Sequence, residues 1–280
     1  MANPGSSDLS ILPGRGDGSF GPEARVEVGM VPLFVTVGDF NEDRRPDLAL
    51  VVLSETSPRS QGVSILIGRG DGTFAPQTFY ETGLSRPPTT YDLVVGDFNE
   101  DGRSDLAVAS PPSNISVLMG RGDGTFGPAT TLTLGGIPLA LAAGDFDADG
   151  HEDLVATSGL DGTVSVILGD GDGTFGAESK YDTGAYPTSV AVGDLNGDGR
   201  LDLAIGNAFS TDVSILLGRG DGSFDAQNRF LAGAVPSSLT IGNLNGNRRP
   251  DVAVVNSESR DVWVLLNQGQ FPVGATLRAH

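Results

Sequence analysis

Oxygen-bearing side chains recur in this sequence at a fixed spacing. The stretch Asp97-Phe98-Asn99-Glu100-Asp101-Gly102-Arg103-Ser104-Asp105 places carboxylate or amide oxygens at its first, third, fifth and ninth positions and glycine at its sixth. The backbone carbonyl of the seventh residue, Arg103, would be a fifth donor. Calcium is a hard cation that takes six to eight oxygen ligands, and a tight turn with this spacing supplies most of them. Two further stretches repeat the pattern: Asp145, Asp147, Asp149 and Asp153 with the carbonyl of His151, and Asp194, Asn196, Asp198 and Asp202 with that of Arg200.

The pattern resembles the first nine positions of an EF-hand loop, without the flanking helices and without the bidentate Glu at position twelve. The plain alternative is a set of turns in which Asp and Asn only cap their own backbone. Three intact copies at the same positions favour calcium over that alternative. Two outer copies are weaker. Asp39, Asn41, Asp43 and Asp47 keep all four donors, but Arg44 replaces the glycine and Arg45 adds repulsion. Asn243, Asn245, Asn247 and Asp251 retain a single carboxylate, so this copy is expected to be an empty turn. Each bound ion would bridge the first and ninth positions, Asp97 and Asp105 in the best copy, and would neutralise carboxylates that otherwise repel one another.

These loops belong to a larger repeat. The phrase Gly-Asp-Phe, or a close variant, leads each one, and Asp39, Asp97, Asp145, Asp194 and Asn243 follow one another at intervals of 58, 48, 49 and 49 residues. A second phrase follows each time: VSILIGRGDGTF at 63–74, ISVLMGRGDGTF at 115–126, VSVILGDGDGTF at 164–175, VSILLGRGDGSF at 213–224 and the degraded VWVLLNQGQF at 262–271. An extra copy, LSILPGRGDGSF, stands at 9–20. The longer first interval is absorbed by loop insertions at 54–62 and 83–90.

Each unit reads as four short strands, for example 189–192, 201–205 and 213–217, with the fourth after the Phe, as in 25–28. The Gly-Asp-Gly turn between strands three and four suits a hairpin, because glycine accepts positive φ. No sustained 3.6-residue apolar period exists, so helices should be nearly absent. Four strands per repeat of roughly 40–50 residues is the signature of a propeller blade, with a β-solenoid as the main rival. The Phe after each turn (Phe20, Phe74, Phe126, Phe175, Phe224, Phe271) is read as core between blades.

With both phrases in view, the units resemble the FG-GAP/VCBS repeats of bacterial surface proteins, some lectins and the integrin α-subunit head. The resemblance covers nearly the whole chain. It implies an all-β fold, a β-propeller of four-stranded blades, with calcium in the blade loops. It implies no single activity, since the family spans adhesion, sugar binding and accessory modules of enzymes.

Composition narrows the function. The 280-residue chain has 36 acidic against 17 basic residues, a net charge of −19, and one lysine, Lys180. Phosphate backbones need clustered positive charge, so nucleic acid is excluded as a partner. No run of 18 apolar residues encodes a membrane span, and no signal peptide is visible. Cysteine is absent, which excludes disulfides and thiolate metal sites.

Other motifs carry less. Arg-Gly-Asp occurs at 15–17, 69–71, 121–123 and 219–221, but 170–172 is Asp-Gly-Asp in the same turn, so the turn needs only Gly-Asp-Gly. The match of 122–127 to a dinucleotide fingerprint leads into a strand instead of a helix and is rejected. Asn114-Ile115-Ser116 is a glycosylation sequon that matters only in a eukaryotic secretory pathway. The two histidines are His151, inside a loop, and His280. No catalytic motif is present, and the loops already account for most carboxylate pairs, so no enzymatic activity is expected. Trp263, the only tryptophan, is either packing or a sugar-stacking platform.

The expected function is a calcium-stabilised binding or adhesion module for carbohydrate or protein, extracellular or at the cell surface. The alternative is an accessory or catalytic domain of a carbohydrate-active enzyme. The expected blades are 33–82, 91–134, 139–183, 188–232 and 237–280, preceded by a partial one at 1–29. Aligning 1–14 with 205–218 matches Asn3 to Asn207 and Asp8 to Asp212, so the chain reads as starting inside a blade. Five complete blades, a partial N-terminal blade of two or three strands, and at most four occupied calcium sites are expected. The open edge of the partial blade would favour self-association.

Overall fold

The computed structural model describes residues 1–53, 61–83, 92–110 and 112–269. All regular structure among them is β-strand. The strands form six antiparallel sheets, the blades of a β-propeller, each paired in chain order. Blade 1 is Ala2–Asn3, Asp8–Ile11 and Ala24–Glu27. Blade 2 is Val31–Gly38, Asp47–Leu53, Gln61–Leu66 and Thr78–Gly83. Blade 3 is Leu93–Gly96, Asp105–Ser110, Asn114–Leu118 and Thr130–Thr133. Blade 4 is Pro138–Gly144, Asp153–Ser158, Thr163–Ile167 and Ser179–Asp182. Blade 5 is Pro187–Gly193, Asp202–Asn207, Asp212–Leu216 and Asn228–Leu231. Blade 6 is Pro236–Gly242, Asp251–Asn256 and Asp261–Leu265, and the fourth strand expected around 276–278 lies outside the described residues.

Blade 1 has three strands, and its register Asn3↔Asp8 repeats Asn207↔Asp212 and Asn256↔Asp261. In all three places the Asn amide donates to the Asp carboxylate, which also takes a serine hydroxyl (Ser6, Ser210, Ser259) and so closes the turn between the two paired strands. Of the two expected insertions, Gln61 and Gly62 belong to a strand, Gly83 ends another, and 54–60 and 84–90 lie outside the described residues. Among the described residues no helix is long and apolar enough to cross a membrane.

The chain divides into two compact units. The first holds blades 1 and 2 and most of blade 3. The second holds blades 4 to 6 together with Phe98–Glu100 and Pro112–Asn114. Within each unit the apolar core lies between successive sheets. In the first, Val51, Val63 and Ile65 of blade 2 pack against Leu106, Val108 and Leu118 of blade 3. In the second, Val155, Val164 and Val166 of blade 4 meet Leu203, Ile205 and Leu216 of blade 5. The second and third strands are covered on both faces, which is why they read as unbroken apolar runs.

The recurrent Phe joins neighbouring repeats. Phe126 meets Phe40 edge-on at 5.6 Å between ring centres, Phe224 meets Phe146 in the same way at 5.7 Å, and Phe175 meets Phe98 at 5.7 Å. Edge-to-face geometry sets the positive ring edge on the negative face. Phe20 departs from the expected core role. It is 61% exposed, and Phe271 lies outside the described residues.

The Gly-Asp-Gly turns have a structural task. Gly124 N donates to Phe40 O at 2.8 Å, Gly173 N to Phe98 O at 2.9 Å, and Gly222 N to Phe146 O at 3.0 Å, so each turn is stapled to the loop one repeat earlier. The turn Asp caps its own turn: Asp71 Oδ1 accepts from Thr73 N at 2.9 Å and from Thr73 Oγ1 at 2.7 Å. Asp123 and Asp221 do the same. These bonds hold the Asp71 carboxyl below its ordinary range. The aspartates of the Arg-Gly-Asp phrases are thus engaged by the fold.

Candidate metal centres

Each acidic loop joins the first strand of a blade to the second, and side chains from its alternate positions turn inward. Position one ties the loop across its width. Asp97 Oδ1 accepts from Asp101 N at 3.1 Å and Oδ2 from Gly102 N at 2.9 Å. Asp194 receives Gly197, Asp198 and Gly199 amides at 2.6, 3.1 and 2.8 Å, and Asp39 receives those of Asp43 and Arg44 at 3.1 and 2.8 Å. Position three caps position five: Asn41 Oδ1 accepts from Asp43 N, Asp147 Oδ1 from Asp149 N, and Asn196 Oδ1 from Asp198 N. Position five caps position seven in turn, as Asp101 does for Arg103, Asp149 for His151 and Asp198 for Arg200. Asn99 belongs to the same loop series.

The third loop carries the densest charge. One carboxylate oxygen from each of Asp145, Asp147 and Asp149 lies within 4.8 Å of the others. Asp145 takes Gly150 N on Oδ2 at 3.1 Å, while its buried Oδ1 has no hydrogen-bond partner. A buried acceptor left without a partner costs free energy, and three converging carboxylates repel one another. Burial, with the charges of Asp149 and Asp145, pushes the Asp147 carboxyl above its ordinary range. A divalent cation would satisfy the orphaned oxygen and cancel the repulsion, so hard oxygen donors in this arrangement fit calcium.

Position nine is placed differently from the rest. Asp47, Asp105, Asp153, Asp202 and Asp251 are completely buried. Asp202 Oδ2 accepts from Leu195 N at 2.8 Å, and Oδ1 from Gly218 N at 2.8 Å. The same two-amide clamp recurs at Asp47, Asp153 and Asp251. It binds the acidic loop to the start of the hairpin turn. Gly218 lets this happen, because a Cβ there would stand 2.1 Å from Leu201 O. In blade 6 Asn267 occupies the equivalent place, and its side-chain amide donates to Leu195 O at 2.6 Å, replacing the glycine staple of the other turns.

Position six needs a left-handed backbone: φ is +81° at Gly102, +95° at Gly150 and +83° at Gly199. Arg44 and Arg248 hold the same conformation at +64° and +67°. The Cβ of a non-glycine residue is strained there by about 1–2 kcal/mol. Arg44→Gly relieves that strain and is offset in part by glycine's greater freedom in the unfolded chain. We expect this substitution to leave the melting temperature unchanged or slightly raised in chelator and clearly raised in calcium, read by thermal denaturation under both conditions.

Successive loops are also linked by charge, a feature the sequence reading missed. Glu42, at position four, pairs with Arg103, position seven of the next loop, at 3.4 Å. Glu100 contacts the His151 ring in the same relation, and this contact raises the His151 pKa. The signal was present as an acid at position four followed one repeat later by a base at position seven. Trp263 is half-buried and donates its indole N–H to Asp261 at 3.0 Å.

Comparison with known proteins gives a consistent picture. A family model described as FG-GAP-like repeat matches residues 39–108, 97–156, 145–205 and 194–254, each span running from one acidic loop past the next. No curated protein matches the sequence. Among solved structures, the chain is similar to an Agrocybe aegerita lectin described as specifically recognising non-reducing terminal N-acetylglucosamine. The TM-score is 0.67 at 20% identity, covering 98% of this chain and 74% of that one. It is also similar to a protein of unknown function from Desulfotomaculum acetoxidans, with a TM-score of 0.63 at 11% identity over 95% of this chain and 78% of that one. A third is BBS1N, solved in complex with ARL6DN, with a TM-score of 0.59 at 13% identity over 100% and 82%.

Proposed function

Because the chain belongs to the family of FG-GAP-like repeats, we propose that it is a calcium-stabilised, non-catalytic β-propeller module that binds carbohydrate outside the cell. The observation that carries the calcium reading is the Asp145, Asp147 and Asp149 cluster with its orphaned Asp145 oxygen. The ions are assigned to Asp97, Asn99, Asp101 and Asp105 with the Arg103 carbonyl, to Asp145, Asp147, Asp149 and Asp153 with that of His151, and to Asp194, Asn196, Asp198 and Asp202 with that of Arg200. Asp39, Asn41, Asp43 and Asp47 form a weaker fourth site. Open loops of this kind bind calcium in the range of extracellular modules, roughly 10⁻⁴ to 10⁻³ M per site, which suits the millimolar calcium outside cells.

Carbohydrate is favoured over protein as the ligand by the likeness to a fungal lectin of the same fold. The acidic surface directs the choice toward uncharged or basic glycans.

Calorimetric titration of chelator-stripped protein tests the metal reading. Calcium should release or absorb heat at three or four sites and raise the melting temperature. Asp149→Ala should lose one site, while Asn247→Ala should retain them all. Absence of both heat and any change in melting would overturn the assignment. A glycan array probed with and without chelator tests the ligand reading.

A further inference from the structure

On the side of the second unit's sheets away from the acidic loops, the turn between strands two and three is stitched to the linker entering the same blade. In blade 5, Ala208 N donates to Tyr186 O at 2.9 Å, Phe209 N to Ala185 O at 3.0 Å, and Ala185 N to Ser210 Oγ at 2.9 Å. Blade 6 repeats this: Ser257 N to Val235 O at 3.0 Å, Glu258 N to Ala234 O at 3.3 Å, and Ala234 N to Ser259 Oγ at 3.2 Å. Tyr186 and Val235 both have φ of +59°. The scaffold therefore accepts Val and Glu in blade 6 where blade 5 has Tyr and Phe.

The stitching bonds therefore do not require the aromatic pair of blade 5, and its arrangement is unusual for a water-facing surface. The Tyr186 and Phe209 rings are stacked, 4.3 Å apart and 16° from parallel. Phe209 nevertheless remains 71% exposed. Its ring rests on a half-buried Tyr held by the stitched linker, and most of its surface faces solvent. The strip extends into blade 4. Leu160, the residue there equivalent to Phe209, is 73% exposed, and Gly159 beside it leaves room for the Tyr186 ring edge, 3.3 Å from where a Cβ would stand.

We propose that the Tyr186–Phe209 pair is a preformed stacking plate for the apolar face of an uncharged sugar ring. This rests on the carbohydrate-binding reading above and gives it a place. The C–H face of a pyranose is flat and weakly positive, and a flat aromatic face with its negative quadrupole complements it. Because the plate is already fixed by its stitches, little side-chain freedom is lost on binding. The net charge of −19 repels polyanions and removes stacked nucleobases from consideration.

The test compares retention of the calcium-loaded protein on chitin, cellulose and galactomannan. Wild type should be retained on at least one of them, and Phe209→Ser should weaken that retention about tenfold with no change in melting, since the ring is exposed. A second variant, Val235→Tyr with Glu258→Phe, builds the plate anew in blade 6 and should strengthen retention. Equal retention of wild type and Phe209→Ser would overturn the plate while leaving the carbohydrate reading standing. No retention of wild type on any of the three overturns both. Self-association in sedimentation that Phe209→Ser abolishes, without sugar retention, would assign the strip to a protein contact and also overturn the proposal.

Discussion

Asp202→Ala is expected to destabilise the protein by about 3–5 kcal/mol, measured by urea unfolding in chelator so that metal loss does not contribute. The carboxylate is fully buried and holds two amides, Leu195 N and Gly218 N, each at 2.8 Å. Truncation leaves both donors buried without partners, at about 1–3 kcal/mol each, and opens a void at a fully buried position. One term runs the other way: burial of the carboxylate, the largest influence on it, raises its pKa and makes its charged form costly. The amide loss is larger, because removing one partner from a buried charged network exceeds the net worth of the intact pair. Asp202→Asn keeps one acceptor and turns an NH₂ toward an amide donor, so its loss should be smaller but substantial. An Asp202→Ala protein with unchanged urea midpoint in chelator would show that the clamp does not support the fold.

Calcium is expected to stabilise the protein strongly at neutral pH and less in acid. At ten to a hundred times the dissociation constant, each occupied site contributes about 1.4–2.7 kcal/mol. The pH dependence follows from Asp153, whose carboxyl is pushed up from 3.8 to about 6 by burial, with Asp147 and Asp149 adding repulsion. A raised carboxyl pKa means that the metal-free native state holds its proton more tightly than the unfolded chain. That stabilisation is complete below about pH 4 and is lost as pH rises through about 6. Discounted for solvent screening, the loss is roughly 1–2 kcal/mol. Bound calcium favours the ionised form and removes it. The other charged groups nearby are Glu100 and His151, whose contact strengthens as His151 protonates at low pH. The gain in melting temperature from chelator to 10 mM calcium should therefore be larger at pH 7.5 than at pH 5. A gain that is equal at both, or larger in acid, would remove Asp153 from the metal-linked network.

Much of this molecule is legible from local chemistry. The Gly-Asp-Gly turns announce hairpins because only glycine accepts their φ values, +79° at Gly70 and +85° at Gly72, without strain. The alternating oxygens of 145–153 announce a turn with converging carboxylates because spacing along one tight loop sets which side chains meet. Near-continuous apolar stretches such as 203–205 announce strands covered on both faces. Repetition multiplied each signal, so strand order and sheet pairing followed from one unit read several times.

What repetition alone could not assign was the role of each donor. In the sequence Asp153 stands with Asp145, Asp147 and Asp149 as one of four equivalent oxygens. Tertiary structure buries it completely, and each of its oxygens accepts a backbone amide, one from Phe146 N and one from Gly169 N, sixteen residues along the chain. Likewise, Phe20 carries the same local phrase as Phe126, yet one is exposed and the other meets Phe40, since burial depends on which repeat lies alongside. The sequence by itself determined the strands, the turns and the positions of the candidate metal loops, because these depend on neighbours within about ten residues. Only the tertiary structure decided that the position-nine carboxylates clamp backbone amides while those of Asp145, Asp147 and Asp149 converge, and that Tyr186 and Phe209 stack in the loops of blade 5. Those outcomes depend on desolvation and on contacts between segments distant in the chain.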